Sequence, residues 1–417
     1  MKTTTKTIHL MLLCFFCSIT TYGADLFVYP NAQSPDYADI QSAIDAANNG
    51  DNIYIDTASF IGNIDVDKTL SLYPLHKGGM YTINGALTLS LINNRTIYIQ
   101  GLNGGGVSSS FSGNLTDSAS VILNGCEFSS SVSINDQYSI RSFIYYSTFN
   151  STVSLDACEL IGNTFNGQVN IQPNANTSNP YPPSIKIYAN NFSYTTAKLS
   201  ISGAYYSNIH IANNFFYASN GSGTNITISA SSSKADKIII ENNIIMNDYY
   251  YSSSTRHINV TYADFLFIRN NYFQVHTNSA QYGYSNGIQT SQIGIYDFQY
   301  NFTNYTDNYF LEGSGTIQTI ANNTYNTTLY YNTTSQNSLG NVSSSAGINA
   351  GSQLPECRDI NNTQNDIGTY GGPHSWSNYH NNSSSMAQIL DLEIPYYQIV
   401  LPGTQINFKS KAIHKNE

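Results

Sequence analysis

The chain is short of charge and of cysteine, and each shortage excludes something. Charged residues make up 10% of the 417 residues and the formal net charge is −10. That acidic balance argues against nucleic acid or an anionic membrane surface as partner. Two of the five cysteines, Cys14 and Cys17, lie in an N-terminal apolar stretch. The other three, Cys126, Cys158 and Cys357, form an odd set. A disulfide framework is therefore not expected, and neighbours such as Phe128 and Leu160 mark these as buried structural thiols. Past the N-terminus there is no His-x-x-x-His or Cys-x-x-Cys spacing, so no metal site is expected. Gly104-Gly105-Gly106 lies in a Ser-rich bend and precedes no helix, so it is not a phosphate loop. No later apolar run is long enough to span a membrane.

Polarity comes instead from 34 tyrosines and from tracts of Asn, Ser and Thr. Uncharged hydroxyls and amides suit a carbohydrate-rich extracellular setting, although stacked β-structure favours the same residues. Lys2 and Lys6, the apolar run Ile8 to Ile19, and then Thr21-Tyr22-Gly23-Ala24 have the layout of a secretory signal peptide over residues 1–23, cleaved after Gly23. Loss of the two lysines takes the net charge from −10 to −12. The expected address is secreted, extracellular or cell-surface.

A phrase recurs along the middle of the chain: Ile161-Gly162-Asn163-Thr164-Phe165, Tyr188-Ala189-Asn190-Asn191-Phe192, Ile211-Ala212-Asn213-Asn214-Phe215, Ile240-Glu241-Asn242-Asn243-Ile244 and Ile268-Arg269-Asn270-Asn271-Tyr272. The steps between Asn163, Asn190, Asn213, Asn242 and Asn270 are 27, 23, 29 and 28 residues, the period of a solenoid. Each phrase joins an alternating strand to a turn, and weaker versions extend the repeats from about Ile53 to about Tyr330. Alternation puts Ile209, Ile211 and the following Asn on one inward parity. These five Asn residues are accordingly expected to form an amide ladder at one shared corner, a structural role. The fold class that follows is all-β, a parallel β-helix. One helix is expected within residues 36–50, where Ile40, Ala43, Ile44 and Ala47 keep helical spacing and Asn49-Gly50 ends it. It would cap the first coil. The solenoid is taken to span 24–373, followed over 374–417 by a Ser/Asn-rich linker and a short β tail.

The segment from Ile40 to Ala47, then Gly50-Asp51-Asn52-Ile53-Tyr54-Ile55 and Leu70-Ser71-Leu72, resembles the N-terminal region of the pectin-lyase-like β-helix superfamily. Ile348-Asn349-Ala350-Gly351 and Asn365-Asp366-Ile367-Gly368-Thr369-Tyr370-Gly371-Gly372-Pro373 look like the C-terminal segment of secreted bacterial β-helix proteins of the choice-of-anchor Q type. The resemblance implies that the parallel β-helix is right-handed, and it implies an extracellular bacterial address. It does not imply catalysis, because the superfamily mixes lyases, hydrolases, esterases and adhesins.

Neither enzymatic chemistry is written plainly in the residues. A polysaccharide lyase needs a base and Ca²⁺ or basic residues at the uronate, and a glycoside hydrolase needs two facing carboxylates. The acids Asp236, Glu241, Asp248, Asp264 and Asp297 read as scattered, with no paired set. Glu241 and Arg269 fall on neighbouring coils and are expected to meet as a surface ion pair. If the chain is an enzyme, Glu241, Arg256, His257 and Arg269 are its candidates, with Lys234 or Lys237. Tyr205, Tyr206, Tyr249, Tyr250, Tyr251 and Tyr262 fall in connections between strands, where exposed rings can stack on sugars. The expected function is non-catalytic contact with extracellular polysaccharide or a cell-surface glycan through these Tyr- and Asn-rich loops. A divergent polysaccharide lyase or glycoside hydrolase is the alternative, and a surface adhesin a second. No cofactor is expected, with Ca²⁺ entering only if the protein is a lyase.

Overall fold

A computed structural model describes residues 23–112, 119–135, 140–173, 184–192, 198–218, 224–230, 234–247, 256–275, 287–304, 311–327, 329, 346–380, 387–393 and 409–414. The chain winds into a right-handed parallel β-helix with three faces per coil. One coil shows the plan: a first-face strand Thr96–Gln100, a second-face strand Leu102–Gly104, a third-face strand Val107–Phe111, and then the next first-face strand, Ala119–Asn124. Each strand pairs in parallel with its counterpart one coil on, as in Val121↔Ile97 and Phe128↔Phe149. The first and third faces merge into a 21-stranded sheet because strands such as Ile258–Arg269 run unbroken round the corner between them; the second face is an 11-stranded sheet. Parallel crossovers of L-residue strands close in the right-handed sense.

The bore is filled by aliphatic columns and by a file of rings. Phe128, Phe149, Phe165, Phe192 and Phe216 stack along the second face with centroids 5.4, 5.2, 4.9 and 4.5 Å apart. Offset stacking at the coil spacing lets each ring pack against two others, which apolar burial alone would not order. At the N-terminal end a short helix, α1 (Ile40–Ala46), covers the first coil. Asp39 caps it by accepting from Ser42 N, while Ile40, Ala43 and Ile44 are buried. Lys68 Nζ, donating to the carbonyls of Ile44, Asp45 and Ala47 at 2.8 Å, satisfies the helix's C-terminal end.

The amide ladder runs along the corner between the first and second faces, but not through all five expected residues. Asn163 and Asn190 belong to it; the next members are Asn214, Asn243, Asn271, Asn301 and Asn323. At each step the lower residue's backbone N–H and Nδ2 both donate to the Oδ1 of the Asn one coil on, at 2.9 to 3.2 Å. Asn213, Asn242 and Asn270, expected in the ladder, stand one place before it in left-handed backbone, with φ of 58°, 55° and 58°. Gly162 and Ala189 hold the same place in earlier coils, at φ 69° and 52°. A single left-handed residue reverses the alternation, so the strand's inward parity does not carry past it. Asn tolerates that conformation better than most side chains.

Beyond the last described coil strand, Leu311–Ala321, residues 346–380 lie along the flank of the coils, and a hairpin of Ala387–Glu393 with Lys409–His414 follows. Residues 375–380, expected to open a linker, instead include a second short helix, α2 (Trp376–His380), with Trp376 and Tyr379 fully buried.

Replacing Asn243 by Ala removes donors to the Ile211 and Glu241 carbonyls and the acceptor of the Asn214 amide. With each buried orphan costing roughly 1–3 kcal/mol, chemical denaturation should show a loss of roughly 2–4 kcal/mol. An unchanged unfolding midpoint would contradict the ladder's role.

Candidate functional site

The outward side of the ladder corner carries a second polar arrangement. Asn213 Nδ2 donates to the carbonyls of Thr369 (2.9 Å) and Gly371 (2.6 Å). Asn242 Nδ2 donates to Asn365 Oδ1 (2.7 Å) and the Asp366 carbonyl (2.9 Å), and Ser352 N donates to Asn270 Oδ1 (2.8 Å). The left-handed Asn residues thus bind residues 346–380 as a strap. Beneath the strap lies a satellite apolar cluster that includes Tyr145, Ile161, Tyr188, Phe215, Ile244 and Tyr272 from the coils with Ile367, Trp376 and Tyr379 from the strap. His380 Nε2 donates to the Ala189 carbonyl at 2.8 Å, and its ring stacks on Trp376.

At the edge of this cluster Glu241 and Arg269 meet, as the register Glu241↔Arg269 requires. Arg269 Nε donates to Glu241 Oε2 at 2.9 Å. The pair is buried, not on the surface as expected, with side chains 8% and 18% exposed. Glu241 Oε1 lies 2.8 Å from His210 Nε2, and His210 Nδ1 lies 2.9 Å from the Tyr188 hydroxyl. Because a carboxylate only accepts, His210 Nε2 carries the proton; in the neutral ring Nδ1 then accepts from Tyr188. His374 of the strap stacks on Tyr188 at 4.2 Å and stands edge-on to His210 at 5.2 Å. Burial pushes the Glu241 carboxyl up, but the Arg269 charge and the His210 hydrogen bond outweigh it and hold it well below the usual range. Burial also pushes the Cys357 thiol up to about 12. Such a network holds a permanent carboxylate with both oxygens engaged, which suits a clasp better than a proton donor.

Arg256 and His257, grouped with Glu241 and Arg269 by sequence, lie elsewhere. They precede the third-face half of Ile258–Arg269, on the far side of the left-handed bend at Tyr262, φ 61°. His257 is buried inside the coil against Phe273, where burial lowers its pKa to about 3. Sequence reasoning passed over His210, Tyr188 and His374. His210 was legible as an outward residue one coil below Ile239, but nothing local ties His374 to it.

A second constellation occupies the corner between the third and first faces. Tyr206, in left-handed backbone at φ 51°, is 43% exposed, and its N–H donates to the Lys234 carbonyl of the next coil. Tyr262 takes the same corner one coil further, about 10 Å along the axis. Tyr205 beside Tyr206 is half-buried. Lys234 Nζ lies 3.4 Å from Asp264 Oδ1. The register Ala235↔Ala263 and Lys237↔Phe265 places Asp236 directly opposite Asp264, so these two acids are paired on adjacent coils and not scattered. Burial and then the Asp264 charge raise the Asp236 pKa. Lys237 extends over the Phe267 ring at 5.6 Å, away from this corner. Tyr249, Tyr250 and Tyr251 lie outside the described residues.

Among the described residues no group of three or more His, Cys, Asp or Glu side chains is placed to hold a metal, and no helix is long and apolar enough to cross a membrane. The fold defines the class, a parallel β-helix; no family model, curated protein or solved structure matches the chain.

Two acid-sensitive groups predict the stability profile. His257 has a folded pKa below its unfolded value of about 6.5, so the unfolded chain takes up the proton first and stability falls as pH drops below that value. Glu241, also depressed, contributes stability that is complete above about pH 4.3 and is lost as pH falls toward its folded value. Thermal melts of Glu241→Gln between pH 7 and 2 should fall less steeply below pH 4 than those of the native protein. At neutral pH the same variant should be less stable, because Arg269 loses its counter-charge. Parallel curves would refute the assignment.

Proposed function

We propose that the protein is a secreted or cell-surface β-helix that contacts extracellular polysaccharide without transforming it. The observation that carries this reading is the Tyr206–Lys234–Tyr262 corner: an exposed Tyr206 ring, a half-buried Tyr262, their hydroxyls, a cation and two carboxylates on the outside of a rigid scaffold. Rings of this kind cover sugar faces at small entropic cost while the polar groups take hydroxyl hydrogen bonds. A contrasting outward file, Phe27, Tyr54, Tyr73 and Tyr98, stacks ring on ring at 5.1 to 5.6 Å, so its faces are mostly spent on one another. The resemblance of the chain's two ends to pectin-lyase-like and choice-of-anchor Q β-helices supports the extracellular address.

One observation favours a second reading, a divergent glycoside hydrolase. Asp236 and Asp264 stand opposite each other on adjacent coils, and the pKa of Asp236 is raised, the direction a general acid needs. Glu241 and Arg269, engaged with each other, do not serve that role.

Affinity gels loaded with a panel of neutral and acidic polysaccharides separate these readings when run beside reducing-end and unsaturated-product assays. Tyr206→Ala with Tyr262→Ala should weaken retardation about tenfold, while Glu241→Gln leaves it unchanged. Sugar release by the native protein that disappears in Asp236→Asn and Asp264→Asn would replace binding by hydrolysis.

A further inference from the structure

We propose that cleavage between Gly23 and Ala24 creates an α-ammonium group that docks on Asp51 and fastens the first coil as an ion pair. The proposal rests on reading residues 1–23 as a secretory signal. Asp51 is 4% exposed, and its two oxygens are divided between backbone donors: Oδ1 accepts from Ala24 N and Oδ2 from Asn48 N, both at 2.7 Å. Among the described residues no lysine, arginine or histidine side chain pairs with it. The nearest part of the cap that carries a cation, Lys68, spends its ammonium on three carbonyls of α1. A carboxylate this deep calls for a counter-charge.

Ala24 is held where that charge would arise. Its carbonyl accepts from Asn52 N at 2.9 Å, and the strand it leads, Asp25–Val28, pairs in register with Asn52–Ile55. Immediately upstream only glycine fits: a Cβ at Gly23 would overlap the Gly50 carbonyl. Hydrolysis adds water across the Gly23–Ala24 peptide bond. The carbonyl carbon of Gly23 leaves as a carboxylate, and the Ala24 nitrogen takes up protons to become an ammonium, 2.7 Å from a carboxylate oxygen. Maturation thereby supplies the missing charge in one step. An α-amine so paired has its pKa raised in the folded state. Its contribution to stability is complete below the unfolded value of about 7.7–8.0 and is lost as pH rises through the folded value.

The test begins with the full-length chain exported from a cell that has a signal peptidase, followed by N-terminal sequencing and ¹³C NMR titration of the reductively methylated α-amine, folded and in urea. The expected result is a first residue of Ala24 and a folded titration midpoint well above the urea value, falling back in Asp51→Asn. Since that variant also removes the acceptor of Asn48 N, the comparison of native protein with its own urea-unfolded form stands alone as the deciding measurement. A different first residue would overturn the processing reading and the proposal with it. A first residue of Ala24 with identical folded and unfolded midpoints would overturn the ion pair and leave the processing intact.

Discussion

Every coil of a stacked solenoid must turn corners inside its own wall, and at a corner a backbone N–H loses its strand partner while remaining out of reach of water. The Asn side chain meets that constraint because it both donates and accepts. In this protein each ladder Asn uses Oδ1 to receive the N–H and Nδ2 of the coil before it and uses its own Nδ2 to reach a strand carbonyl, as Asn214 does with Ile187 at 2.8 Å. One coil earlier the shorter Ser147 takes the same place: its Oγ accepts from Cys126 N, and its own N–H donates to Asn163 Oδ1, the first ladder amide. The ladder therefore fixes where every following strand begins. It also fixes which side chains can face outward.

What faces outward changes along the helix. The register column Gln100, Asn124, Tyr145, Ile161, Tyr188, Ala212, Glu241 and Arg269 is polar at both ends and apolar over the four coils between. The apolar members all lie beneath the strap cluster. The strap is held where the left-handed residue is Asn, since only that side chain projects an amide toward residues 352–371. One backbone requirement, a residue able to take positive φ, thus doubles as an attachment point. The polar Glu241–His210–Tyr188 group closes the cluster's edge, and its desolvated charges are compensated within the group.

Much of this was legible in the sequence because it repeats. The solenoid period, the cap spacing of Ile40, Ala43 and Ile44, and the inward file of Ile209, Ile211, Ile238 and Ile240 are all local patterns. Ladder register was harder, since in an Asn-Asn pair either amide fits the description. Gly162 and Ala189 could have decided it: they occupy the first place of the pair without an amide, which leaves the second place to carry the ladder. The strap's partners could not be read at all. Asn213 and Gly371 are 158 residues apart, and nothing periodic joins them. The Tyr206, Tyr262 and Asp236/Asp264 corner was half legible, because the tyrosines stand in turns while the carboxylate pairing depends on a coil register set by loops of unequal length.

The two polar constellations differ in what they leave unsatisfied, and that difference bears on function. In the Glu241 group both carboxylate oxygens and both His210 ring nitrogens meet partners within the protein, and the strap's His374 ring packs against Tyr188 and His210. Binding anything there would require breaking a desolvated ion pair, a cost of several kcal/mol before any gain. At the Tyr206 corner the charged groups are half-exposed, Lys234 by 36% and Asp264 by 53% of their side chains. Their interactions with water are the ones a glycan hydroxyl replaces at little cost. A rigid wall that spends its buried polarity on itself, and leaves its solvated polarity beside the exposed Tyr206 ring, offers that corner for recognition.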